Sequence, residues 1–494
     1  MHNRRDFLRA SASTAAAASL SAAPAPVPAK TMVGIQVGAV SFVDEGTPKA
    51  LDILQQRGAV NTLFLATFTY GRGIAGRQVP GQPLPDHGRQ EYDLDFHGGN
   101  YGTVHPQYYH DTAIKPEDTR APDHGNLDII AEVLPQAKQR GMKTILWTED
   151  VWRYDIPNIV KLQEVDLHGR PARRLCVNNP YHRNFLLGLV EDYARSYDID
   201  GIMWGSERHG ALGIALGSNH GGRGSDPASA SCFCEHCEKK ARALGQFQFE
   251  RVRQGYLELE KFVRAGRAGQ RPVDGYYVSF WRLLMRYPEI LAWEQFWHDG
   301  LREIYSAMHA RAHQIKPGLQ VGWHIWHNNS FSPFYRAQQD LKTIAPSSDF
   351  LKMVIYHNCG GERMASYIDS VTANLYGDLP KQDALEFHYH VLNARERSYE
   401  QIPFTGLSAD YVLRETQRAV LGAAGTSTLI WPGIDIDIPT GDSHSKSTPK
   451  GTKDAVLAAF KGGAHGVILS RKYSEMKLAN LSGAGDAIRE LKLA

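Results

Sequence analysis

The chain has almost no excess charge of either sign: 55 lysines and arginines stand against 53 aspartates and glutamates, a formal +2 over 494 residues. So weak a field does not gather polyanions, which argues against nucleic acid as a partner. Beyond the first thirty residues no run of about 18 consecutive apolar residues occurs, so no membrane span is expected. A P-loop, a nucleophile elbow and a His-Glu-x-x-His pair are all missing, and no glycine-rich phosphate turn follows the first apolar run. No organic cofactor is therefore expected. Cysteine is scarce, at five residues. What is present is ordinary globular composition, 42% hydrophobic and 22% charged, with 46 glycines and 25 prolines. A neutral substrate fits this balance better than a charged one.

The N-terminus reads Asn3-Arg4-Arg5-Asp6-Phe7-Leu8-Arg9, then a weakly apolar Ala/Ser stretch from Ala10 to Ala23, then a Pro-rich end at Val27-Pro28-Ala29. It resembles a bacterial twin-arginine export signal, with cleavage expected after Ala29 and a periplasmic or secreted mature protein. A disordered basic arm is the competing reading, but an arm has no need of apolar residues directly after paired arginines. Removing residues 1–29 takes away Arg4, Arg5, Arg9 and Asp6 and leaves a formally neutral chain. Residues 30–494 are read as one catalytic domain.

Eight short apolar runs recur between helical patterns: Val33–Ala39, Val60–Thr67, Thr144–Asp150, Gly201–Glu207, Leu319–Trp326, Phe350–Tyr356, Ser427–Asp435 and Gly466–Arg471. Helices are predicted between them, among others at Leu127–Arg140, Tyr181–Tyr193 and Tyr411–Gly422. Strand-helix alternation implies parallel strands joined by crossover helices, and eight units predict an α/β fold of the (β/α)8 TIM barrel type. Two connections are too long for simple crossovers, residues 69–123 after the second strand and 208–318 after the fourth. Both leave the C-terminal ends of strands, where barrels build their sites. The first is rich in His and Tyr, including Tyr101, His105 and Tyr109. Such rings suit a carbohydrate, whose flat C–H faces and hydroxyls match aromatic faces and polar tips. A loop packed by its own aromatics is the alternative. In the second, the aromatics from Trp281 to Trp297 read as core or subunit contact, leaving homo-oligomerisation open.

Three cysteines crowd into Cys232-Phe233-Cys234-Glu235-His236-Cys237. That spacing suits tetrahedral thiolate ligation better than disulfides, with Cys176 as the natural fourth ligand and His236 its substitute. A closed set of this kind predicts structural zinc. A disulfide with free thiols, or inert thiols, are the other readings. Cys359 is read as buried or unpaired.

The segment Arg173-Arg174-Leu175-Cys176-Val177-Asn178-Asn179-Pro180-Tyr181-His182-Arg183, then a helix, a strand ending at Glu207, and the Cys232 cluster resemble glycoside hydrolase family 42 β-galactosidases. The resemblance covers residues 173 to about 245. It implies zinc on Cys176, Cys232, Cys234 and Cys237, an acid/base role for Glu207, and an oligomer. The chain departs from the family at Ser206, where an Asn normally precedes the acid/base. No Glu ends the seventh strand, where the family keeps its nucleophile.

Glycosidic cleavage needs two carboxyl groups, one to protonate the leaving oxygen and one ionised to attack or to activate water. Glu207 stands where a barrel would place the first. For the second, alternation along Trp431–Pro439 sets Asp435 and Asp437 opposite Ile434, Ile436 and Ile438. Glu149 and Asp150, beside Trp147, form a competing pair or bind sugar hydroxyls. His324, Trp326 and Arg471 end later strands and are candidate substrate contacts. The sequence therefore predicts a glycosidase. A sugar lyase or isomerase drawing on His105, Tyr109 and His324 is the second reading, and a carbohydrate-binding barrel without catalysis the third.

Overall fold

The computed structural model describes residues 31–245 and 247–493. The leader and its cleavage point after Ala29 lie outside the described residues. Eight parallel strands close on themselves: β1 (Met32–Gly38), β2 (Thr62–Thr69), β3 (Lys143–Glu149), β4 (Gly201–Gly205), β5 (Gln320–Ile325), β6 (Phe350–Val354), β7 (Leu429–Asp435) and β8 (Gly466–Ser470). Closure is complete because β1 pairs with β2 on one side and with β8 on the other. The chain is a (β/α)8 barrel. All eight strands fall where the apolar runs predict them, because strands buried on both faces read as near-continuous apolar segments.

Inward side chains fill the barrel. Phe64, Ala66, Ile145, Trp147, Met203, Phe350, Trp431 and Ile468 form one cluster, with Phe350 stacked on Trp431 at 4.2 Å between ring centroids. Large residues face small ones. A Cβ on Gly322 would sit 2.4 Å from the Phe350 ring, so bulk on β6 requires its absence on β5. A second, larger core lies between the barrel and its helices.

The ring helices include α1 (Ile129–Gln139), α2 (Pro180–Ser196), α3 (Glu235–Leu244), α4 (Glu289–Ile315), α5 (Gly360–Val371), α6 (Ala409–Gly422) and α7 (Leu478–Glu490). Their starts are written in the sequence. Asp128 accepts the Ile130 and Ala131 amides at α1, Asn179 with Pro180 opens α2, and Ser408 caps α6. After β2 the chain wanders through mostly irregular structure before α1. After β4 it runs to Leu319, but α4 packs beside α2 in the outer ring. The final part of that stretch is thus an ordinary crossover helix. Trp293 and Trp297 are buried while Trp281 is half-exposed, so most of those aromatics serve internal packing. Among the described residues no helix is long and apolar enough to cross a membrane.

Candidate active site

Parallel registry brings the polar groups together. Glu149 pairs with Gly205, Gly205 with His324, and His324 with Lys352, so one row crosses β3, β4, β5 and β6 at the C-terminal end of the barrel. Gly205 leaves the gap that Glu149 fills, since a Cβ there would lie 2.9 Å from both carboxyl oxygens of Glu149. Glu207 follows two residues on. Its side chain is 41% accessible to solvent even though protein surrounds it, as expected of a group reached from the barrel mouth.

A continuous hydrogen-bond chain runs through this row. Lys352, fully buried, donates to Gln36 Oε1, to Tyr356 Oη at 3.1 Å and to His324 Nδ1 at 3.3 Å. His324 Nε2–H donates in turn to Glu207 Oε1 at 2.7 Å. All three partners of Lys352 act as acceptors, which fixes the imidazole tautomer by the network. The Trp147 indole donates to Glu149 Oε1 at 2.6 Å.

These surroundings separate the two glutamates. Burial, aided by the Glu207 charge, pushes Glu149 far above the usual carboxylate range. Burial also acts on Glu207, but the His324 hydrogen bond and the Arg363 charge outweigh it and hold Glu207 down to about 2. Burial lowers Lys352 to about 7 against the pull of Glu149 and Glu207, and burial with the Lys352 charge lowers His324. Burial thus favours the protonated form of Glu149, while the His324 hydrogen bond and the Arg363 charge favour the charged form of Glu207.

A depressed lysine has a thermodynamic signature. Between pH 7 and the ordinary lysine value of about 10.4, the unfolded chain binds a proton that folded Lys352 has released, so this residue makes stability rise with pH. In Lys352→Met the slope of unfolding free energy against pH over that window should fall by about 1.4 kcal/mol per pH unit. Denaturant titrations at several pH values test this, and an unchanged slope would mean that Lys352 titrates normally.

The other expected residues are placed differently. Asp435 faces inward, as alternation requires, but is fully buried under the loop after β6, where it accepts the Asn358 and Cys359 amides at 3.1 and 2.8 Å and pairs with His357 at 2.7 Å. Asp437 leaves the alternation altogether. At φ +57° it turns toward α7 and accepts the Lys477 amide and the Asn480 side chain. Asp150 is tied down by Arg208, Ser206 and Trp152, and Trp147 belongs to the barrel interior. Tyr101 bonds Asp123, while His105 and Tyr109 bond Asp192 on α2. This loop packs against the barrel and its helices: Tyr70 meets Phe68 of β2, Tyr109 meets Phe185 of α2, and Trp152 bridges Phe68 and Phe185. Trp326, almost buried, touches His209 and His220. Arg471 is paired with Glu475.

Three residues escape the sequence reading. Lys352 and Gln36 carried a signal, each a polar residue at an inward position of an apolar strand. Arg363, at the start of α5, carried none. Its guanidinium bonds His327 Nδ1 at 3.2 Å and lies over the Tyr356 ring.

The four cysteines converge on one buried spot, with their sulfurs all within 4.8 Å of one another. Cys176 Sγ lies 3.5 Å from Cys237 Sγ and 3.6 Å from Cys234 Sγ. A tetrahedral ion with metal–sulfur bonds of about 2.3 Å needs sulfur separations of about 3.8 Å, so the cluster has the right size. Backbone amides of Val165 and Asn178 point at Cys232 and Cys176 sulfurs, as thiolates require. All five cysteines are free thiols.

The fold and site define an exported (β/α)8 barrel with a polar centre at the C-terminal mouth. The family model for the twin-arginine translocation pathway signal sequence matches residues 1–21, so the chain is addressed to the periplasm or beyond. No curated protein sequence matches it. Among solved structures it is similar to a β-galactosidase from the haloarchaeon Halorubrum lacusprofundi, at 13% identity and TM-score 0.50, covering 94% of this chain and 58% of that one. It is also similar to α-L-fucosidase isoenzyme 2 from Paenibacillus thiaminolyticus, at 13% identity and TM-score 0.47, covering 94% of this chain and 49% of that one. The chain thus spans about half to three-fifths of the length of these structures. At such identity the likeness is one of fold.

Proposed function

We propose that the protein is a glycoside hydrolase acting at the barrel mouth, with Glu207 and Glu149 as its paired carboxyl groups. One arrangement carries the reading: an accessible Glu207 held by His324 shares the row at the barrel mouth with a buried Glu149, and burial raises the proton affinity of Glu149 while the His324 hydrogen bond lowers that of Glu207, the division of labour that cleavage of a glycosidic bond demands. Glu207 is then the nucleophile or the base that activates water, and Glu149 the proton reservoir. This reverses the acid role that the family resemblance gave to Glu207. His324 holds the Glu207 carboxylate in place, and Lys352 sets the charge beneath both. Arg363 offers guanidinium donors to a substrate substituent.

The cysteine cluster fits structural zinc on Cys176, Cys232, Cys234 and Cys237. With four sulfur ligands the ion has no open position and supplies no chemistry to the reaction; it fastens the insertion after β4 to the segment before α2.

A panel of aryl glycosides tests the function. Aglycone release with uptake of one water per bond is expected, and NMR of the first-formed anomer reads retention or inversion. Product lacking water, with a new ultraviolet-absorbing double bond, would replace this reading with a lyase. His105 and Tyr109 speak against that alternative, because both are engaged by Asp192.

A further inference from the structure

We propose that His309, His313 and Asp349 form a second metal site, for a first-row divalent cation, at the end of the barrel opposite Glu207. His309 and His313 lie one turn apart on α4 and so share a face. Their rings stack with centroids 4.2 Å apart and planes 28° apart. Both Nε2 atoms turn to the same oxygen, Asp349 Oδ2, at 2.8 Å from His313 and 3.6 Å from His309. That oxygen is anchored, since it also accepts the Val321 amide at 2.7 Å. Asp349 immediately precedes β6, which places the group at the N-terminal ends of β5 and β6.

The dimensions suit a cation. Bonds of about 2.0–2.2 Å to nitrogen and oxygen in a tetrahedral shell require donor separations of about 3.4 Å. The two observed separations bracket that value, and all three donors lie within 4.8 Å of one another. Each of the three side chains is between 22 and 32% exposed, so an ion can enter and keep water as a further ligand. Two imidazoles and one carboxylate favour zinc, cobalt, nickel or copper over magnesium or calcium. The cysteine cluster is a separate, all-sulfur site. A cation here would clamp α4 to the base of the barrel without touching the chemistry.

Calorimetric titration of the purified protein with Zn²⁺ reads the site by difference. Wild type should take up one equivalent more than His309→Asn/His313→Asn, whatever the cysteines already hold. Each single substitution should weaken that equivalent at least tenfold, and added Zn²⁺ should raise the melting temperature of wild type more than that of the double variant. Co²⁺ bound in place of Zn²⁺ should give visible bands without the intense near-ultraviolet thiolate absorption. Equal uptake by wild type and double variant, or thiolate absorption accompanying the extra equivalent, would overturn the proposal.

Discussion

Glu207→Gln should lower kcat on any cleaved aryl glycoside by roughly a thousandfold or more while leaving the melting temperature within a few degrees. A thousandfold loss is about 4 kcal/mol of transition-state stabilisation. The amide keeps the length of the side chain and still accepts from His324 Nε2, so the hydrogen-bond chain to Lys352 survives. What disappears is the negative charge that attacks carbon or deprotonates water. Glu149→Gln should also slow the reaction, because the amide cannot give up the proton that burial keeps on Glu149. A substrate with an acidic phenol as leaving group, needing little protonation, should suffer less from that second change. A kcat for Glu207→Gln within tenfold of wild type would remove Glu207 from the chemistry.

That pair could be read only partly from the sequence. The strands were legible because burial on both faces makes each a continuous apolar run, and Glu207 was legible as the acidic residue closing the fourth of them. The second, Glu149, was legible only as a rival, named with Asp150 behind Asp435 and Asp437. Extending strict alternation past Asp435 assumes that the strand continues, whereas β7 ends there and Asp437 adopts a left-handed backbone that turns it toward α7. Asp435 does face inward, but the loop from His357 to Cys359 folds over it, and nothing in local composition announces which loop will cap which carboxylate. The aromatic loop was legible only in part for a related reason. Tyr101 and His105 were legible as contact-forming residues, while their partners, Asp123 and Asp192, are fixed only by tertiary packing. Lys352 was the overlooked signal, because a lysine at the centre of Phe350–Val354 cannot snorkel to solvent and must find acceptors inside the barrel.

With the proposed zinc on the four cysteines, Cys234→Ser should release the ion and cost more stability than a single core truncation, beyond about 4–5 kcal/mol, since binding energy at a closed thiolate site is folding energy. The damage should reach the active site by a traceable route. Cys176 follows Leu175, whose carbonyl accepts from Arg208 Nη1 at 2.6 Å, and Arg208 also pairs with Asp150 at 3.0 Å. Arg208 is the immediate neighbour of Glu207. On the other side, Arg174 pairs with Glu164, which also accepts the Trp297 indole of α4. Loss of the ion would free the antiparallel pair Gln163–Val165 and Pro171–Leu175 and the segment through α3, and with them the peptide that aims the carboxylate. Limited proteolysis should therefore cut first between residues 163 and 245, and kcat should fall in step with zinc content as chelator is added, although no sulfur touches the substrate. Proteolysis that begins elsewhere, or activity that outlasts complete removal of the metal, would separate the cysteine cluster from the mouth and leave Arg208, next to Glu207 in the chain, fixed by its ion pair with Asp150.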